Sequence, residues 1–155
     1  MMVLVPLMCG SSIACLNRRY ALQPLNICSH KPNVQGHDVY LVAPVDNESG
    51  QGGRAVFTTE PTLTRPSEFD LIPKGAPSFG TDPADSHIWY YNGTPAAVTF
   101  FALDYVVPRY TGWKNVDLLV SGPNFGTNLG PFLYTISGTI GATYVSFFFV
   151  PPGLF

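Results

Sequence analysis

Two short stretches carry the residue types that could grip an anion. Ser121-Gly122-Pro123-Asn124-Phe125-Gly126-Thr127-Asn128-Leu129-Gly130 is rich in small, hydroxyl and amide residues, and Ser137-Gly138-Thr139 repeats that chemistry ahead of a second apolar run. Glycine leaves backbone N–H groups bare, and a helix start adds further N–H groups at the positive end of its dipole. A strand, such a loop and a helix start together make a cradle for phosphate. Small residues at a helix start have a plainer use too, because they let the helix approach its neighbours closely. The residues alone leave both uses open for 137–139.

The elements that must position these stretches can be read from the apolar pattern. Leu118-Leu119-Val120 is a short apolar run that predicts a buried strand feeding the loop at 121–130. Asp38 to Pro44 predicts a core strand, followed by the polar loop Val45 to Gly53. His87 to Tyr91 predicts a third strand, and Arg54 to Pro83 an excursion of hairpins and loops between Pro and Gly breakers. Asn92-Gly93 is a turn, and Thr94-Pro95 has the form of an N-cap with proline at the first helical position. Ala97, Val98, Phe101, Leu103 and Val106 then give an apolar helix up to Val107-Pro108. Helix followed by apolar strand implies crossover connections, hence an α/β fold with a mostly parallel sheet covered on both faces. In such a sheet the loops leaving the strand C-termini gather at one edge, where ligands bind. The loops 45–53 and 121–130 are therefore expected to converge, although some 70 residues separate them in sequence.

Composition narrows the class. With 46% hydrophobic and 12% charged residues the chain is globular rather than disordered. A net charge of −2, with 8 Lys+Arg and no basic run, gives no support for binding a nucleic-acid polymer. Cys9, Cys15 and Cys28 have neither metal-like spacing nor an even count. Met1 to Cys15 is apolar and ends in small residues, like a weak secretory signal without its basic start, and is too short for a membrane span. Residues 1–35 thus read as an unassigned leader, and location as either secreted or cytoplasmic. His87 beside Trp89 reads as a packed or surface histidine. Ser121 lacks the G-x-S-x-G surroundings of a nucleophile. Tyr90, Tyr91, Phe100 and Phe101 read as core. Asn47-Glu48-Ser49 and Asn92-Gly93-Thr94 both match the glycosylation acceptor pattern.

Four motifs in order, VAPVDNESG, NGTPAAV, VDLLVSGPNFGTNLG and SGTIGAT, together resemble the SurE survival-protein family of metal-dependent phosphatases and nucleotidases, and its fungal branch of acid phosphatases in particular. The resemblance covers roughly residues 36–144. It implies a Rossmann-like three-layer fold and removal of phosphate from nucleoside monophosphates or other small phosphate esters. It also implies a divalent cation, magnesium or manganese, and dimers or larger assemblies through C-terminal elements. Carried onto this chain, it makes Ser49 and Asn124 metal ligands and gives Asn128, Ser137, Gly138 and Thr139 to the phosphate pocket. It also implies an Asn-Asp-Asp-Gly motif after the first strand. No Asp-Asp pair occurs anywhere in this sequence. Residues 145–155 read as an apolar tail foreign to the family, with Phe147 to Val150 forming an exposed patch too short for a membrane anchor. The expectation is a SurE-like domain truncated at both ends and impaired as a catalyst, with a phosphate-binding remnant or a faulty gene model as the alternatives.

Overall fold

Alternation along one strand sets the architecture. Tyr40 and Val42 face one side, Leu41 and Ala43 the other, and all four are buried, so this strand has packing on both faces. The computed structural model describes residues 2–5, 33–34 and 37–147, except 123 and 125. Six strands lie within it: β1 (Met2–Val5), β2 (Asn33–Val34), β3 (His37–Pro44), β4 (Phe79–Asp82), β5 (Asp85–Tyr91) and β6 (Leu118–Ser121). The sheet runs β4-β5-β3-β1-β6, with β2 added antiparallel to the start of β3. The pairs β5–β3, β3–β1 and β1–β6 are parallel; β4 is antiparallel to β5 and closes that edge as a hairpin.

β1 lies within the stretch left unassigned from sequence. Met2–Val5 lies between β3 and β6, with Leu4 opposite both Leu41 and Val120. A short aliphatic run suits a buried parallel strand as well as it suits a signal's apolar core, so the sequence did not separate the two. The readings that rest on residues 6–32, 35 and 148–155 fall outside the described residues.

One face of the sheet is covered by α1 (Pro95–Phe101), a π-helix at Ala102–Thr111, and α3 (Gly138–Ser146), which follows the short α2 (Pro131–Ile136). Their core joins Tyr40, Val42, Trp89 and Tyr91 of the sheet to Ala97, Val98, Phe101, Val106 and Ala142 of the helices. Phe101 stacks on Tyr91 with ring centroids 4.5 Å apart. On the opposite face Leu41, Ala43 and Ile88 form a second buried cluster with Val39 and Val120. Tyr91 and Phe101 are core as expected; Tyr90 and Phe100 are half-buried. Among the described residues no helix is long and apolar enough to cross a membrane.

Three local expectations need correction. The helix expected to stop at Val107-Pro108 continues to Thr111, because wide π turns accommodate Pro108 within it. Thr94 has the extended backbone of an N-cap, yet its hydroxyl does not cap the helix. It donates to the Arg54 carbonyl at 2.6 Å and accepts from the Val56 N–H at 2.9 Å, tying the excursion to the start of α1. The strand at 118–121 is not buried: β6 pairs only with β1 among the described residues, and Leu118 is 41% exposed.

Candidate active site

Parallel pairing puts the C-terminal ends of β3, β1, β5 and β6 on one edge. Pro44 at the end of β3 leads into the loop 45–53, and Ser121 at the end of β6 leads into the loop 122–130. Both loops wall one cavity of about 180 Å³, together with the start of α3. Ser49, Asn124, Asn128, Ser137, Gly138 and Thr139 all line it. The six site residues named from sequence are thus brought to a single place.

The chain achieves this by tying the second loop to α3 and the first to the end of α2. Thr139 Oγ1 donates to Asn124 Oδ1 at 2.9 Å, and Asn124 Nδ2 donates to the Gly126 carbonyl at 3.2 Å, so the two partners fix the orientation of the amide. Ser121 Oγ donates to the Thr139 carbonyl at 2.8 Å, which makes Ser121 a tether and not a nucleophile. On the other loop, Gly52 N–H donates to the Ile136 carbonyl at 2.8 Å, and Asn47 Oδ1 accepts from the Ser49 N–H at 2.9 Å. Ser137 caps α3 by accepting from the Ile140 N–H at 3.3 Å.

Both sequence readings of Ser137-Gly138-Thr139 find a structural counterpart. A Cβ on Gly138 would lie 2.7 Å from Pro95 Cγ, and one on Gly141 would collide with the Gly52 carbonyl. The bare glycines therefore bring α3 against α1 and against the loop 45–53. The same closeness places the first turn of α3 at the cavity wall, where a helix N-terminus favours negative charge.

Electrostatics at the cavity mouth are mixed. Glu48 is its one lining carboxylate. Burial pushes the Glu48 carboxyl above its ordinary value, and neighbouring Asp46 adds to that, while Arg65 and Arg54 pull it down. Arg65 itself bridges Asp46 at 2.8 Å. A hard divalent cation takes six or more oxygens and draws its charge balance from carboxylates. Ser49, Asn124, Asn128 and Thr139 offer only neutral oxygens beside Glu48, and no group of three or more His, Cys, Asp or Glu that could hold a metal occurs among the described residues. The first acidic residue of the chain is Asp38, so β1 and the stretch after it bring no carboxylate. The described donors do not by themselves fit a divalent cation; they suit an anion.

Other candidates lie elsewhere. His87 packs on Tyr40, with centroids 4.5 Å apart, and sits 3.3 Å from Asp85 and 3.5 Å from Asp38, away from the cavity lining. The Thr94 hydroxyl of the Asn92 acceptor pattern is buried and fully engaged. Sequence reasoning missed the apolar part of the cavity, made by Pro44, Pro95, Leu133 and Ile136. The spacing of Leu133 and Ile136 on one helical face just ahead of Ser137 was the available signal.

A family model described as survival protein SurE matches residues 21–154. The chain belongs to the SurE family. The match extends beyond residues 36–144 on both sides. An acid phosphatase of Yarrowia lipolytica is 48% identical over 112 residues, covering 72% of this chain and 31% of that protein. A 5'-nucleotidase SurE of Synechocystis is 37% identical over 110 residues, covering 69% of this chain and 32% of that protein. The chain spans about a third of the length of these SurE relatives. The crystal structure of a SurE protein from Aquifex aeolicus aligns with a TM-score of 0.53 at 27% identity, covering 93% of this chain and 44% of that one. The α/β fold of the SurE family is thus established for this chain.

Proposed function

We propose that this SurE chain carries the phosphate-recognition part of a phosphomonoesterase site, of the nucleotidase or acid-phosphatase type. The observation that carries this reading is the meeting of the 45–53 loop, the 122–130 loop and the α3 N-terminus around one cavity. In this reading the phosphoryl group of a small ester, such as a nucleoside monophosphate, sits at the start of α3. The Ser137 hydroxyl, the Asn128 amide and the backbone N–H groups of the first turn of α3 hold its oxygens, while Thr139, whose hydroxyl proton goes to Asn124, lines the pocket and positions that amide. Asn124, oriented by Thr139, presents its amide from the opposite loop, with Ser49 beside it.

Magnesium or manganese, when bound, would neutralise phosphoryl charge and help activate water. Of the residues at the cavity, Ser49 and Asn124 would be its neutral ligands and Glu48 the one carboxylate, which supplies little of the charge a divalent cation needs. A second reading, phosphate-ester binding without turnover, is favoured by the single carboxylate at the cavity. Phosphate release from AMP, measured with magnesium, with manganese and with a chelator, separates the two. Metal-dependent release supports the esterase. Thermal stabilisation by AMP without release supports the binding site. Absence of both defeats the phosphate reading.

A further inference from the structure

The cavity is chemically mixed. Its lining carries the polar residues Asn124, Asn128, Ser137 and Thr139, with Glu48, and the apolar Leu133 and Ile136 of α2. Ile136 precedes the Ser137 cap directly, and Leu133 lies three residues earlier, about 4.5 Å farther along the helix axis. Leu133 is 40% exposed, so its side chain is shared between the cavity and open solvent. At about 180 Å³ the cavity holds more than a phosphoryl group alone, given that one water needs roughly 10–15 Å³ by a comparable measure. The ester substituent of a phosphate held at Ser137 and the first turn of α3 has to leave the polar residues, and Ile136 directly precedes Ser137 in the chain.

We propose that Leu133 and Ile136 form a leaving-group wall that selects phosphate monoesters whose alcohol carries an apolar ring. The inference rests on the phosphate reading of the same cavity. An apolar ring laid on this wall removes the exposed face of Leu133 from water, which a small or strongly hydrated alcohol does not. Leu133 is thereby a specificity residue, not a catalytic one.

Binding of phenyl phosphate and methyl phosphate to the full chain by titration calorimetry tests this. The wild-type chain is expected to prefer phenyl phosphate by about tenfold, and Leu133→Ser to lose most of that preference. Leu129→Ser serves as the control. Leu129 is 78% exposed in the neighbouring loop and is not part of the cavity lining, so the preference should survive there. An unchanged preference in Leu133→Ser, or an equal loss in Leu129→Ser, overturns the wall while leaving phosphate recognition standing. Failure of the wild-type chain to bind either ester overturns the phosphate reading, and the wall with it.

Discussion

Thr139 on α3 donates its hydroxyl to the side-chain oxygen of Asn124 at 2.9 Å, joining the 122–130 loop to the start of that helix. The pair sets which way the Asn124 amide faces, because its nitrogen is directed to the Gly126 carbonyl. Any ligand that uses Asn124 therefore depends on Thr139 as well.

Thr139→Val keeps the shape of the side chain and removes the hydroxyl. Its loss should weaken inorganic phosphate binding by about tenfold or more. It should cost only about 1 kcal/mol of stability, the net value of one intramolecular hydrogen bond. Calorimetric titration and thermal unfolding of the same preparation check both. Undiminished affinity in the folded variant would show that the cavity does not use this pair.

Gly141→Ala sets two effects against each other. Alanine is the better helix former by about 1 kcal/mol. The added Cβ, however, would strike the Gly52 carbonyl, which is backbone and cannot swing away. Overpacking of this kind costs roughly 1–3 kcal/mol or more, so the clash should win and the melting temperature should fall. Gly138→Ala meets the Pro95 ring edge at 2.7 Å and should lose less, since α1 can shift slightly. A stabilised Gly141→Ala variant would mean that α3 does not press on the 45–53 loop.

Thr94→Val removes the two side-chain bonds that hold Arg54 and Val56 to the start of α1, and leaves the backbone bond from the Thr94 N–H to the Val56 carbonyl. Thr94 is buried, so the orphaned Val56 N–H and Arg54 carbonyl should cost about 2 kcal/mol together. Denaturant unfolding gives the stability change, and proteolysis between residues 54 and 60 should quicken. A loss no larger than that of an exposed threonine would reassign Thr94 to a simple turn position.

How far the sequence carried this picture depends on the residue. The strands at 38–44 and 87–91 were legible because their apolar residues run continuously and glycine, proline and asparagine bound them. The convergence of the two loops that carry Ser49 and Asn124 followed from strand direction, and the resemblance singled out those two residues. Met2–Val5 was not legible, since a four-residue aliphatic strand and a signal core share one pattern. Thr94 was misread because its side chain chose tertiary partners over the local cap. The apolar wall at Leu133 was missed because α2 has no buried residue and so lacks the stripe that marks a packed helix.

Glu68 should give the stability curve a slope in mildly acid solution. Its Oε2 is buried without a hydrogen-bond partner, and burial together with the nearby Asp46 pushes the carboxyl above glutamate's usual 4.5. An acid whose folded value is raised binds more protons in the folded than in the unfolded state between the two values. Stability therefore falls as pH rises from about 4.5 through the folded value, and the penalty is constant above it. Glu68→Gln removes the ionisable group, so that part of the slope should flatten and the variant should gain stability at neutral pH relative to wild type. Urea unfolding of both proteins at several pH values between 4 and 7 measures this, with the size of the effect held down by solvent around the loop. Parallel curves for the two proteins would show that Glu68 ionises as freely in the folded chain as in the unfolded one.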